Sequence, residues 1–142
     1  MCKVIRTSDL TAPAANSAFT WNSAEIDTAT MWSAGAPTLV TIQTSGIYQI
    51  NAFAFITNTT QYSTAPTLRL FKNGSAVASL GMCYQNNGFV SVTSTISTLI
   101  SATATDTITL GYSYGGGGTL TIKGDLVQGR TEMSVRLIGR TS

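Results

Sequence analysis

The chain has 142 residues, a length at which one hydrophobic core is expected, and this predicts a single domain over residues 1–142. Hydrophobic residues make up 43% of the sequence, so the composition does not indicate disorder. Only 10% of the residues are charged, against about 25% in an ordinary soluble domain. The net charge of +2 comes from scattered basic residues, which argues against nucleic acid as the main ligand. Either Ser and Thr cover an exposed sheet in place of charges, or part of the surface is buried against partners.

The N-terminus and the cysteines bear on the compartment of the protein. The segment from Met1 to Arg6 becomes polar before an apolar run develops, so no secretory signal is expected. No stretch approaches the ~20 apolar residues that cross a bilayer. Cys2 and Cys83 are the only cysteines, and we expect two free thiols rather than a disulfide framework. The sequence therefore predicts neither secretion nor membrane insertion.

The first clear pattern along the chain is an alternation of residue types from Thr38 to Ile56. Ser45-Gly46 interrupts it, which predicts a strand, a turn and a second strand. In the second strand the even-numbered residues from Tyr48 to Ile56 share one face, and the odd-numbered residues share the other. Both faces carry apolar side chains, so we expect both to contact protein.

A hairpin is predicted next. The runs 68–71 and 76–78 flank Asn73-Gly74, a dipeptide that favours a tight turn because both turn residues need a positive φ. Alternation predicts further strands at residues 90–100, 107–112, 119–123 and 133–138. Short strands without helical periodicity predict an all-β sandwich or barrel.

The sequence offers little for catalysis. Histidine is absent, which removes the commonest general base and metal ligand. Glu25 and Asp27 form the one close carboxylate pair. On a strand they would lie about 7 Å apart on one side, compatible with glycoside cleavage or calcium but more typical of two solvated acids. The run 115–118 is all glycine, opens no helix and lacks a following Lys-Ser or Lys-Thr, so it predicts a loop rather than a phosphate site. We expect no enzymatic activity, no cofactor and no assigned metal ligand.

Aromatic residues near the predicted strand ends are candidates for contact with partners. Trp21 and Trp32 are expected in the core or at a subunit contact. Tyr62, Tyr84 and Tyr114 lie among Asn, Gln, Ser and Gly, so these three are the candidates for an exposed binding surface.

The signature residues of these strands resemble the C1q and tumour-necrosis-factor-like family of ten-stranded jelly rolls. The segment from Pro37 to Ile50 is similar to an apolar strand followed by Gly-x-Tyr-x-Phe, with Ile50 in place of Phe. Two further segments match: Leu70 to Gly74 resembles the Lys-Asn-Gly hairpin, and Leu99 to Leu110 resembles Leu-x-x-Gly-Asp-x-Val-x-Leu, with Thr105 in place of Gly. Met133 to Gly139 loosely resembles Phe-x-Gly-x-x-Leu.

The resemblance implies an all-β, ten-stranded jelly-roll sandwich that assembles as a homotrimer, because members of the family are typically trimeric. We expect the trimer seam to include aromatic and aliphatic residues from three of the predicted strands, namely Tyr48, Phe53, Phe55, Tyr112, Met133, Val135 and Leu137.

The segment from Trp21 to Trp32 is similar to variants of the domain found in bacterial viruses. The resemblance therefore implies a trimeric head, made in the host cytoplasm, that binds major capsid or tail proteins on the outside of a virion. The alternative is a head of a tail fibre or minor tail protein that binds a host surface glycan or protein. A carbohydrate-cleaving enzyme built on Glu25 and Asp27 is the least favoured function.

Overall fold

A computed structural model describes residues 1–11, 17–59, 66–81, 91–114, 117–124 and 130–140. These residues form eleven β-strands. The strands are β1 (Cys2–Ile5), β2 (Leu10–Thr11), β3 (Ser23–Asp27), β4 (Val40–Thr41), β5 (Gly46–Asn58), β6 (Thr67–Lys72), β7 (Ser75–Gly81), β8 (Ser91–Ala102), β9 (Thr107–Ser113), β10 (Leu120–Ile122) and β11 (Glu132–Arg140). Within these ranges no helix is long and apolar enough to span a bilayer.

The strands form two antiparallel sheets. The first has seven strands in the order β2-β10-β5-β11-β1-β3, with β8 on the other side of β5. The second has four strands in the order β4-β9-β6-β7. Strand β5 organises the larger sheet, because β8 pairs along one edge while β11 and β10 divide the other. The prediction of an all-β sandwich is confirmed.

The core lies between the two sheets and explains the alternation in β5. The even-numbered side chains from Tyr48 to Ile56 are buried, and Ile50, Ala54 and Ile56 are fully enclosed. Buried residues of the second sheet, such as Leu68 and Leu110, belong to the same apolar cluster. Each aliphatic side chain buried in this way contributes about 1.5–3 kcal/mol.

The predicted Asn73-Gly74 hairpin joins β6 to β7. Both turn residues have positive φ, 50° and 80°, as a tight two-residue turn requires. A second contact holds the turn to the start of β9. The Asn73 side-chain amide donates to Asp106 Oδ1 at 2.7 Å, and the Thr107 backbone N–H donates to Asn73 Oδ1 at 2.8 Å. We call Asn73, Asp106 and Thr107 the corner latch.

The corner latch strongly favours the ionised form of Asp106. The Asn73 hydrogen bond, followed by one from the Thr103 backbone N–H at 2.9 Å, lowers the pKa of Asp106 to about 2. The Lys72 ammonium lies 3.5 Å from the same carboxylate and adds to the effect. The latch therefore keeps its charge at pH values where ordinary carboxyl groups are protonated.

The N-terminal strand β1 is the main element that the sequence patterns did not predict. It lies between β11 and β3 and pairs with both. Cys2 and Val4 point into the core and are fully buried, whereas Lys3 is only half-buried. Burial raises the pKa of the Cys2 thiol to about 12, so Cys2 is an inert packing residue. Cys83 lies outside the described residues.

Candidate assembly face

The large sheet has one face in the core and one face turned away from the second sheet. We call the latter the outer face. Its members follow from the strand registers and alternating burial: Ile47, Gln49, Asn51, Phe53, Phe55 and Thr57 of β5, Ser91, Thr93, Thr95, Ser97, Leu99 and Ser101 of β8, Glu132, Ser134 and Arg136 of β11, and Lys3 of β1.

The outer face carries apolar side chains that keep some surface. Leu99 is 59% exposed, and Phe53 and Phe55 are half-buried opposite Thr95 and Thr93 of β8. The polar pair Asn51 and Ser97 lies between Phe53 and Leu99. Apolar side chains with polar neighbours of this kind are typical of contact surfaces in soluble proteins.

Strand β8 lies at the edge of this sheet. It pairs with β5 from Gly46 to Thr57 without a register shift, and no described strand pairs with its other edge. Its twelve residues include no charged residue and no proline. Natural edge strands are usually protected by charges, prolines or bulges, because an open edge invites another chain to pair with it. The sequence of β8 contains none of these protections, and the Lys72 ammonium donates to its Ser101 carbonyl oxygen at 3.0 Å near one end of the strand.

A shallow depression of about 200 Å³ lies where β5, β8 and β11 run side by side. Its polar lining comes from Asn51, Thr95, Ser97, Glu132 and Ser134, with Phe53 beside them. Ser97 Oγ donates a hydrogen bond to Asn51 Oδ1 at 2.8 Å, which fixes the centre of this polar surface.

Four charged side chains form a closed ring of ion pairs at one side of the outer face. Glu25 lies 2.8 Å from Lys3 and 3.1 Å from Arg130. Glu132 lies 3.1 Å from Lys3 and 3.2 Å from Arg130. We call Lys3, Glu25, Arg130 and Glu132 the ionic ring. Hydrogen bonds from Lys3, then Arg130, hold the pKa of Glu25 below its ordinary value.

Comparisons with known proteins identify the architecture. No model of a known protein family matches the chain, and no curated protein matches it. Among solved structures, it is similar to the globular domain of zebrafish complement 1qA protein, with 18% identity, a TM-score of 0.70, and coverage of 99% of this chain and 98% of that one. It is also similar to Eiger TNF from S. frugiperda, with 8% identity, a TM-score of 0.67, and coverage of 99% of this chain and 93% of that one. Rabbit GITRL shows 14% identity, a TM-score of 0.57, and coverage of 100% of this chain and 98% of that one. The chain has the C1q/TNF-like jelly-roll fold.

The residues that carried the family resemblance have structural roles in this jelly roll. A Cβ at Gly46 would overlap the carbonyl oxygen of Gly139, so only glycine lets β11 approach β5 there. The Tyr48 hydroxyl donates to the Thr44 carbonyl oxygen at 2.7 Å and closes the preceding turn. Thr105 stands where the family has Gly, and its φ of 79° lies in the left-handed region that a β-branched residue disfavours.

The predicted seam residues separate into two groups. Tyr48, Tyr112, Met133 and Val135 are at most 3% exposed in the single chain and belong to the core between the sheets. These four side chains are enclosed in their own subunit, and their assignment to the seam remains a prediction.

The other three predicted seam residues retain some surface. Leu137 pairs with Tyr48 and packs partly against the core, on the inner side of the sheet. Phe53 and Phe55 are on the outer face, where a second subunit could reach them. Their role in a seam remains a prediction.

The predicted binding tyrosines are only partly covered by the structure. Tyr62 and Tyr84 lie outside the described residues. Tyr114 is half-buried, and its hydroxyl donates to the Gly117 carbonyl oxygen at 2.9 Å and accepts from Asn58 Nδ2 at 3.2 Å. The hydroxyl of Tyr114 therefore links the end of β9 to Gly117 and to Asn58 of β5.

Glu25 and Asp27 do not act as a pair. Glu25 belongs to the ionic ring, whereas Asp27 accepts hydrogen bonds from the backbone N–H groups of Met31 at 2.9 Å and Trp32 at 3.0 Å. Burial opposes the charge of Asp27, but these bonds bring its pKa below the ordinary value. Among the described residues, His, Cys, Asp and Glu form no group of three that could hold a metal ion.

Proposed function

We propose that this jelly roll is a non-enzymatic structural subunit that assembles as a homotrimer and decorates the outside of a bacteriophage capsid or tail. The observation that supports assembly is the outer face with the uncharged edge strand β8, whose second edge pairs with no strand in the part of the chain that the structure describes. The low charge of the chain supports the same conclusion, because interface cores are depleted in charged residues.

Two different surfaces of the subunit are available for contact. One is the edge of β8, and the other is the outer face around Phe53, Phe55 and Leu99. A contact between two different patches is heterologous, and a heterologous contact closes into a ring when the rotation between subunits allows it. A trimer is the ring size that the fold's resemblance implies.

Size-exclusion chromatography with light scattering tests the assembly. At micromolar concentration we expect a mass of about three times the 14.9 kDa of one chain. A folded monomer at that concentration would overturn the proposed trimer.

The virion role rests on the similarity of the segment from Trp21 to Trp32 to variants of the domain in bacterial viruses. To test this role, purified protein is added to virus particles that lack the protein, and the particles are imaged. We expect density for trimers on the exterior of the capsid or tail. Particles that stay bare would remove the virion role and leave the assembly proposal standing.

The alternative, a receptor- or glycan-binding head, predicts that labelled protein binds host cells. One of the three tyrosines proposed to bind the receptor, Tyr114, already uses its hydroxyl in hydrogen bonds with Gly117 and Asn58. The ring of Tyr114, rather than its hydroxyl, would therefore have to contact the receptor. Binding to cells together with failure to bind particles would favour this alternative.

A further inference from the structure

The ionic ring lies within the surface proposed for assembly. Glu132 is both a ring member and part of the lining of the depression, and it is the cross-strand partner of Phe53. Arg130 is the most enclosed member, with a side chain only 16% exposed. A second subunit that covers Phe53 therefore also covers, or closely borders, the ring.

The charges around the ring set its response to acid. Strands β5 and β8 contribute no titratable side chain to the outer face. Just after β10, Lys123 bonds through its backbone to Phe55 and Thr131, and its ammonium contacts the Asp9 carboxylate. Strand β11 contributes Arg130, just before its start, together with Glu132 and the exposed Arg136, while β1 contributes Lys3 and β3 contributes Glu25. With all four members charged the ring is neutral, and loss of the negative charge of Glu25 leaves it with a net positive charge near Arg136.

We propose that the ionic ring is an acid-sensitive switch that holds the subunits together at neutral pH and releases them as folded subunits in acid. The inference rests on the proposed assembly. A cation that loses its carboxylate partner under a neighbouring subunit, away from water, is disfavoured, and this cost opposes association.

The direction with pH follows from Glu25. Hydrogen bonds from Lys3 and Arg130 hold the pKa of Glu25 below its ordinary value of 4.5, so the ring stays intact at neutral pH and opens as the pH falls below 4.5. The proposal requires the fold to outlast this step, and the corner latch is one charged contact that does, because the pKa of Asp106 is lowered to about 2. The expected result is a pH range in which the subunits are separate and folded.

The test follows the mass of the full-length protein by light scattering from pH 7 to about pH 3, with circular dichroism on the same samples. We expect the trimer to dissociate below about pH 4.5 while the dichroism spectrum is unchanged. Glu25→Gln with Glu132→Gln removes both negative charges of the ring, and should raise the dissociation constant about tenfold or more at pH 7. The single Glu132→Gln variant should raise the dissociation constant by a smaller factor. It replaces the double variant in the test if the double variant does not fold.

Asp106→Asn is the matched control, because it removes a carboxylate of lowered pKa that lies in the corner latch. It should remain trimeric with the wild-type pH profile. If the wild-type trimer persists in acid until the protein unfolds, the switch is overturned and the proposed assembly stands. Folded Gln variants that form trimers with the wild-type dissociation constant would have the same meaning. A wild-type monomer at pH 7 would instead overturn the assembly.

Discussion

Strand β5 turns Ile50 toward the second sheet and Phe53 away from it. Ile50 is fully enclosed by its own chain, whereas Phe53 is half-buried beside Glu132 and Thr95. Apolar side chains on the inner face hold the subunit together, and those on the outer face remain available for another subunit. Substitutions on the two faces should therefore affect different properties, namely stability on the inner face and assembly on the outer face.

The largest loss of stability is expected on the inner face. Ile50→Ala should lower the free energy of unfolding by about 2–5 kcal/mol, because it leaves a cavity between two packed sheets. Urea unfolding at one fixed protein concentration measures this. Gln49→Ala, the neighbouring outer-face change, should stay within about 0.5 kcal/mol of wild type. Equal effects at the two positions would contradict the assignment of the faces.

On the outer face, Phe53→Asp should abolish assembly and leave the subunit folded. The new carboxylate would be buried in the contact without a partner and next to Glu132, which disfavours association by several kcal/mol. Light scattering should report a monomer with an unchanged dichroism spectrum, while Phe53→Leu should remain trimeric. An intact Phe53→Asp trimer would show that the contact lies elsewhere.

A gain in stability, smaller in size than the losses above, is expected from a substitution at Thr105, which lies in a turn. Thr105→Gly should raise the free energy of unfolding by about 0.5–1 kcal/mol, since glycine adopts a φ of 79° without strain but loses more chain entropy on folding. Thermal unfolding measures the gain. Thr103→Gly, in the same turn but without positive φ, should lower stability instead.

For the corner latch, the informative quantity is the pH dependence of the free energy of unfolding. The folded pKa of Asp106, about 2, lies below the ordinary 3.8, so its contribution to stability is present above pH 3.8 and is lost as the pH falls toward 2. Asp106→Asn should flatten the stability profile in that range while assembly at pH 7 is unchanged. An unaltered slope would show that the acid sensitivity of folding comes from other carboxylates.

Local features of the fold could be predicted from sequence. The Asn73-Gly74 turn follows from the φ requirement of its own two residues, and strand β5 follows from its alternation. The alternation has a period of two and is apolar on both faces, so it could not say which face is the core. Tyr48 and Phe53 were therefore both assigned to the seam, although only Phe53 is on the outer face.

Features that depend on long-range pairing could not be predicted. The members of the ionic ring lie at positions 3, 25, 130 and 132, and only the pairing of β1 with β3 and β11 brings them together. Strand β1 is too short for its alternation to stand out, although Val4 and Ile5 are β-branched residues that favour strands.

Because β5 and β8 pair without a register shift, hydrogen exchange along β8 indicates whether another chain pairs with its second edge. In an antiparallel pair, the backbone N–H groups of alternate residues point toward the partner strand and the others point away. In a separate subunit, deuterium uptake along β8 should thus alternate between slow and fast from one residue to the next. A neighbour that hydrogen-bonds to the edge would slow the fast set, whereas a neighbour that only packs against side chains would leave it fast.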